Sequence, residues 1–230
     1  MNKITKKFHQ ACAEYNLLED GDRILVALSG GKDSLMLTRL LARQSRILKP
    51  RIEVAAAHVI MDNIPYETDR TYLEQFCNAE QIPLHILHTS FDESTDRRKT
   101  KCFLCAWNRR KTLFTFARDN GFNKIALGHH QDDFIVTMLM NITYEGSTQS
   151  MQPMMPMRHY PLSVIRPLCL IAEDSISRIA EEEGFMKQKV SCPYEQVTQR
   201  TAITHLFHQL LSTNEEVRYS MWRALSRQWK

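Results

Sequence analysis

Three short stretches hold residues whose types and spacing could do chemistry. The first is SGGKDS, Ser29 to Ser34. Gly30 and Gly31 let a backbone come close to an anion. Lys32 adds a positive charge, and Ser29 and Ser34 add hydroxyl donors. The stretch follows an apolar run and opens a helical pattern, where backbone N–H groups and the helix dipole attract phosphate. It has neither the Walker A spacing nor the G-x-G-x-x-G dinucleotide fingerprint. A plain glycine turn is the alternative, but this set of six residues at the start of a helix favours phosphate binding. The second stretch is LGHHQDD, 127–133. A carboxylate of Asp132 or Asp133 could hold Mg²⁺ across phosphates, or both could simply complement the first turn of a helix. His129 or His130 could donate to phosphate or ribose. The third stretch is KCFLCAWNRRK, 101–111, a Cys-x-x-Cys among basic residues. Cys102 and Cys105 could form a redox switch, half of a zinc site or part of another metal centre.

These residues need elements to position them, and the apolar patterning supplies a set. Short apolar runs at 23–29, 52–60, 84–88, 124–128 and 162–168 predict five strands. Helical periodicity covers 2–18, 33–48, 66–80, 102–120, 131–143, 173–184, 198–211 and 214–228. Strands alternating with helices imply an α/β fold, a parallel five-stranded sheet with helices on both faces. The expected division is an N-terminal helix over 1–20, a main domain over 21–190 and a C-terminal helical segment over 191–230. The segment MQPMMPMRHYP, 151–161, reads as a loop. With 230 residues, 43% hydrophobic and 24% charged, the chain can bury a sizeable core. A net charge of +4 permits an anionic partner without demanding one. The first residues contain no apolar signal-peptide core, and no run approaches the roughly 20 residues of a membrane span. The expectation is a cytoplasmic protein, in which a Cys-x-x-Cys is more a metal or redox motif than a staple. Cys12, Cys77 and Cys169 sit in core-like patterns.

SGGKDS resembles the PP-loop of ATP pyrophosphatases, which cleave ATP between its α- and β-phosphates. The wider order is an amphipathic N-terminal helix, LLEDGDRILVALSGGKDS, the cysteine pair, ALGHHQDD and IRPLCLIAEDSI. This order resembles the tRNA 2-thiocytidine synthetase (TtcA-like) family, over roughly residues 3 to 211. The resemblance implies an adenine nucleotide alpha hydrolase-like domain with ATP and Mg²⁺ as cofactors. It places Ser29, Gly30, Gly31, Lys32, Asp33, Ser34, His58, Gly128, His129 and Asp132 around the nucleotide, with Lys32, Asp33 and Asp133 as catalytic residues. It also implies a 4Fe–4S cluster on Cys102, Cys105 and Cys192, the last in KVSCPYEQ. The implied reaction adenylates a cytidine, expected to be residue 32 of a tRNA anticodon loop. Sulfur from a cysteine desulfurase or free sulfide then replaces the activated oxygen. Relatives are expected to carry a second Cys-x-x-Cys near the C-terminus; here Glu195 stands in place of its second cysteine.

An RNA partner has its own support. Arg97, Arg98, Lys99, Lys101, Arg109, Arg110 and Lys111 surround Phe103 and Trp107, a mixture that could grip phosphates and stack a base. Charge on a helix is also commonly solvated decoration. Arg218, Arg223, Arg227 and Lys230 form a second basic stretch, for RNA or for a dimer contact. Other readings stay open: a ligase with structural zinc at the cysteines, a redox-sensing cluster protein, or a thiolase for another RNA position or a small molecule.

Overall fold

The computed structural model describes residues 2–64, 68–92, 100–186, 199–214 and 216–229. Cys192 and Glu195 lie outside the described residues, as do Arg97, Arg98, Lys99 and Lys230. Five strands run parallel: β1 (Arg23–Ala27), β2 (Glu53–Met61), β3 (Leu84–Thr89), β4 (Lys124–Ala126) and β6 (Ser163–Ile165). A sixth strand, β5 (Met154–Pro156), pairs antiparallel with β6 at the sheet edge. The order is β3-β2-β1-β4-β6-β5.

The α/β class and parallel sheet are as expected, but the sheet has six strands and not five. The extra strand falls in the segment expected as a loop. Its prolines hid it, since proline cannot donate to a ladder and survives only at an edge or strand end.

Alternation along the strands explains the layers. On β1 and β2, Ile24, Val26, Val54 and Ala56 face one side of the sheet, and Leu25, Ala55 and Ala57 the other. Against the first face pack α1 (Asn2–Glu14), α2 (Lys32–Gln44), α3 (Arg70–Ala79) and α6 (Glu173–Glu182). Parts of α5 (Gln131–Met140) and α8 (Val217–Ser226) join them through Phe134, Met138, Trp222 and Leu225. The stripe Ile4, Phe8 and Ala11 anchors α1 in that cluster. Against the second face α4 (Lys101–Asp119) buries Phe114 and Ala117. The helix α7 (Gln199–Thr213) packs on α5 through Ile203 and Phe207.

At the amino end of the strands Lys124 is buried with its ammonium 2.7 Å from Asp22. It also donates to the Leu17 carbonyl at 3.1 Å. Both charges are nearly sealed from solvent and therefore need each other. The catalytic candidates lie at the opposite, carboxyl edge. The helix expected over 131–143 leaves α-geometry after Met140. A π-turn follows, Asn141–Glu145, closed by Gly146 at φ 63°. No described helix is long and apolar enough to cross a membrane.

Candidate active site

The strand order sets the location of the site. From β1 the chain moves outward to β2 and β3, then returns to place β4 on the other side of β1. That reversal opens a crevice beyond the carboxyl ends of β1 and β4, where open α/β sheets bind ligands. SGGKDS leaves β1 into α2, and GHHQDD leaves β4 into α5. The two motifs therefore flank one crevice. Gly128 makes their contact close: a Cβ there would sit 3.1 Å from the Ser34 amide nitrogen and 3.2 Å from the Asp33 carbonyl carbon.

The loop after β1 is tied by its own hydroxyls. Gly30 takes φ 91°, a conformation that suits glycine. Ser34 Oγ donates to the Gly31 carbonyl at 2.8 Å and accepts from the Gly30 N–H at 3.2 Å. Ser29 Oγ accepts from the Gly31 N–H at 3.3 Å. No side chain caps the N-terminus of α2, which leaves its first N–H groups open to an anion.

Lys32 stretches between two carboxylates, 3.2 Å from Asp33 and 3.0 Å from Glu173. Burial works against its charge, but Asp33 and Glu173 outweigh it and hold the ammonium above the usual lysine range. Burial also raises the Asp33 carboxyl, with Lys32 and His130 opposing, and its Oδ1 is buried without a hydrogen-bond partner.

Three histidines surround this core. His58, on β2, has Nδ1 2.7 Å from the Leu28 carbonyl, directly before the loop. Its Nε2 is buried and unpartnered. Burial lowers its pKa, the Leu28 carbonyl opposes, and the charges of Arg109 and Arg70 lower it further. His129 is pulled down to about 4 by burial and then by Arg166 and Arg200, with Asp133 opposing. It is therefore neutral near pH 7, and its Nδ1 has no partner. His130 caps α5, where its N–H donates to Asp133 at 3.0 Å.

The acidic pair of GHHQDD is bound to the C-terminal helices. Asp132 is buried and accepts from Arg218 of α8 at 2.8 and 3.1 Å, and from the Glu173 N–H at 3.3 Å. Asp133 pairs with Arg200 of α7. Arg218 also reaches Asp174 at 3.0 Å. Its charge is thus engaged by carboxylates of α5 and α6. Trp222, in the same stretch, is buried in the core. Sequence reasoning missed Glu173, Arg166, Arg200 and Arg218 as neighbours of the site. Only Arg166 carried a local signal, a lone charge inside the apolar run VIRPLCLI.

Cys102 and Cys105 lie in the first turn of α4, whose Thr100 cap accepts from the Phe103 N–H at 3.2 Å. Cys105 packs beside Met61, the last residue of β2, with Ile64 and Phe91. The pair thus stands at the carboxyl edge of the sheet. One turn along α4, Arg109 is close enough to His58 to influence its charge. Cys77 and Cys169 are core residues, buried as expected, and Cys12 is half-buried. Burial pushes the Cys12 and Cys77 thiols up to about 12. The described cysteines form no disulfide.

Two groups implied by the resemblance fit these residues. The thiols of Cys102 and Cys105, spaced i, i+3, share one helix face at an N-terminus, where negative charge is favoured. Such a pair suits the thiolate ligation of an iron–sulfur cluster. For Mg²⁺, the unpartnered Asp33 oxygen offers one carboxylate ligand, and substrate phosphates commonly supply the others.

A family model described as a PP-loop domain matches residues 1–223. The tRNA-cytidine(32) 2-sulfurtransferase of Legionella pneumophila (strain Paris) is 36% identical over 222 residues, covering 94% of this chain and 77% of that protein. The protein of the same name from Syntrophotalea carbinolica is 34% identical over 227 residues, covering 97% and 88%. Among solved structures, the U34-tRNA thiolase NcsA from Methanococcus maripaludis with its 4Fe–4S cluster matches with a TM-score of 0.80. It is 25% identical, over 98% of this chain and 78% of that one. The phosphate loop, the paired cysteines and these likenesses agree, and the chain belongs to the tRNA 2-thiocytidine synthetase branch of the PP-loop family.

Proposed function

We propose that the chain is an ATP-dependent tRNA sulfurtransferase that converts a cytidine of the anticodon loop, residue 32, to 2-thiocytidine. The observation that carries this reading is the common location of the phosphate loop and the cysteine pair at one edge of one sheet. The relatives' names supply the substrate class.

The protein's own groups divide the work. The N-terminus of α2, with the N–H groups of Gly30 and Gly31, the Ser29 and Ser34 hydroxyls and Lys32, receives the departing pyrophosphate. Lys32 exchanges Glu173 for phosphate as the nucleotide arrives. Asp33 would hold Mg²⁺ through its open oxygen, and the ion would offset the phosphate charge. Neutral His129 can hydrogen-bond ribose or the α-phosphate through its unpartnered Nδ1, and His58 and Gly128 shape the adenosine side. Asp132 and Asp133 act by position, fixing α5 against α6, α7 and α8. The cytidine O2 attacks the α-phosphorus and pyrophosphate leaves. A sulfur nucleophile then takes C2, and AMP departs with the original oxygen. A 4Fe–4S cluster on Cys102, Cys105 and Cys192 supplies the sulfur-transfer chemistry when bound.

The test is a reaction of anaerobically purified protein with ATP, Mg²⁺, sulfide and an unmodified tRNA transcript, followed by nucleoside mass spectrometry. The expected product is 2-thiocytidine, formed only with ATP. Sulfur on a uridine, or a product without sulfur, would refute the cytidine assignment.

A further inference from the structure

Arg166 stands at the carboxyl end of β6, with 6% of its surface exposed. Its NH1 donates to the Gln152 carbonyl at 2.6 Å, and its Nε is buried without a partner. Among the described residues no carboxylate pairs with it. A largely buried guanidinium with neither counter-ion nor full hydrogen bonding is an expensive arrangement.

Its neighbours add positive charge and no compensation. β4 and β6 pair with Ala126 opposite Ile165, and the Leu127 N–H donates to the Ile165 carbonyl at 2.9 Å. His129 and Arg166 therefore leave the same edge side by side. On α4, Phe114 packs on Tyr160 at 5.4 Å between ring centroids and shares a cluster with Val164 of β6. Arg110 lies one turn nearer the carboxyl edge and is exposed. Burial and then the Arg110 charge pull the Arg166 guanidinium down to about 10, which still leaves it protonated at neutral pH. Asp133, the carboxylate that faces His129, is already paired with Arg200.

We propose that Arg166 and Arg110 form a second phosphate subsite, which takes a backbone phosphodiester of the RNA substrate. A buried, partly unpaired guanidinium beside a second arginine matches a phosphodiester's charge and acceptors. Position separates this subsite from the phosphate loop. β6 is two strands from β1, about 10 Å at ordinary strand spacing. Neighbouring phosphates of one nucleotide lie closer together than that, so the second anion belongs to the other substrate. This rests on the tRNA reading above. It adds that the RNA enters across β6 and α4, with a phosphate held next to the crevice where its base must react.

The test compares wild type with Arg166→Met, Arg110→Gln and, as a control for loss of one surface charge, Arg178→Gln. Arg178 is exposed on α6, beside Glu182. Binding of a short RNA hairpin with an unpaired loop cytidine is titrated at several salt concentrations, and ATP binding is titrated separately. Arg166→Met should weaken the hairpin by about tenfold or more. It should reduce the slope of log affinity against log salt by about one, leave ATP affinity near wild type, and not lower the melting temperature. Arg110→Gln should shift the hairpin in the same direction, and Arg178→Gln should not. If Arg166→Met fails to fold, the exposed Arg110→Gln decides the question. Unchanged hairpin affinity in the folded variants overturns the subsite, and so does a loss confined to ATP. Wild-type protein that binds ATP but no RNA refutes the tRNA reading itself, a result distinct from failure of the subsite alone.

Discussion

Asp33 shares one carboxylate oxygen with Lys32 and buries the other without a partner. Its raised pKa means that the folded chain releases this proton less readily than the unfolded chain, so ionisation at neutral pH costs stability. Asp33→Asn should therefore melt about 2–4 °C higher at pH 7.5, and the gain should fade as the pH falls through the carboxylate range. Calorimetry across pH reads this directly, and pyrophosphate release should be lost in the same variant. His129 has the opposite dependence. Its folded pKa of about 4 is depressed, so below about 6.5 the unfolded chain takes up the proton first. The stability it contributes is complete above that pH and is lost as pH falls towards 4. His129→Gln should lose less melting temperature than wild type between pH 6.5 and 4.5. At this scale SGGKDS was legible because its chemistry is local, one turn and one helix start. The engagement of Asp132 was not, because Arg218 lies 86 residues away and nothing near LGHHQDD announces it.

The C-terminal helices hold the site together. Arg218 ties α8 to Asp132 on α5 and Asp174 on α6, and the Glu173 next to it holds Lys32. Removing Arg218 leaves Asp132 buried and unpaired. Arg218→Ala should cost about 3 kcal/mol in urea unfolding, and Arg218→Ala with Asp132→Asn should recover much of it. Equal losses in the single and double variants would show that the pair is not coupled. A helix start pressed against a strand end makes a second prediction. Gly128→Ala places a methyl 3.1 Å from the Ser34 amide nitrogen, so α2 or the β4–α5 turn must yield. Overpacking of this kind costs about 1–3 kcal/mol, and ATP affinity should fall with it. The helices and the five parallel strands were legible from period and punctuation. β5 was not, because its stability comes from pairing with β6 and its proline-rich sequence reads as a turn.

For the whole molecule, the sheet brings two chemistries to one edge, a phosphate loop after β1 and thiols at the start of α4. Alternating strands and helices foretold the class, and the order of motifs foretold the family. The sequence left the strand reversal between β1 and β4 unstated, since it arises from long-range pairing, yet that reversal makes the crevice. If both chemistries serve one reaction, neither should run to completion alone. The most direct measurement is single-turnover pyrophosphate and 2-thiocytidine formation, in parallel, by anaerobic wild type and Cys102→Ser with tRNA. Iron, sulfide and zinc are analysed on the same samples. Expected are equal amounts of pyrophosphate and thiolated base in wild type, with iron and sulfide bound, and loss of thiolation with loss of iron in Cys102→Ser. Stoichiometric zinc without iron, with thiolation unchanged by the substitution, would contradict a shared reaction and leave the cysteine pair a structural zinc ligand.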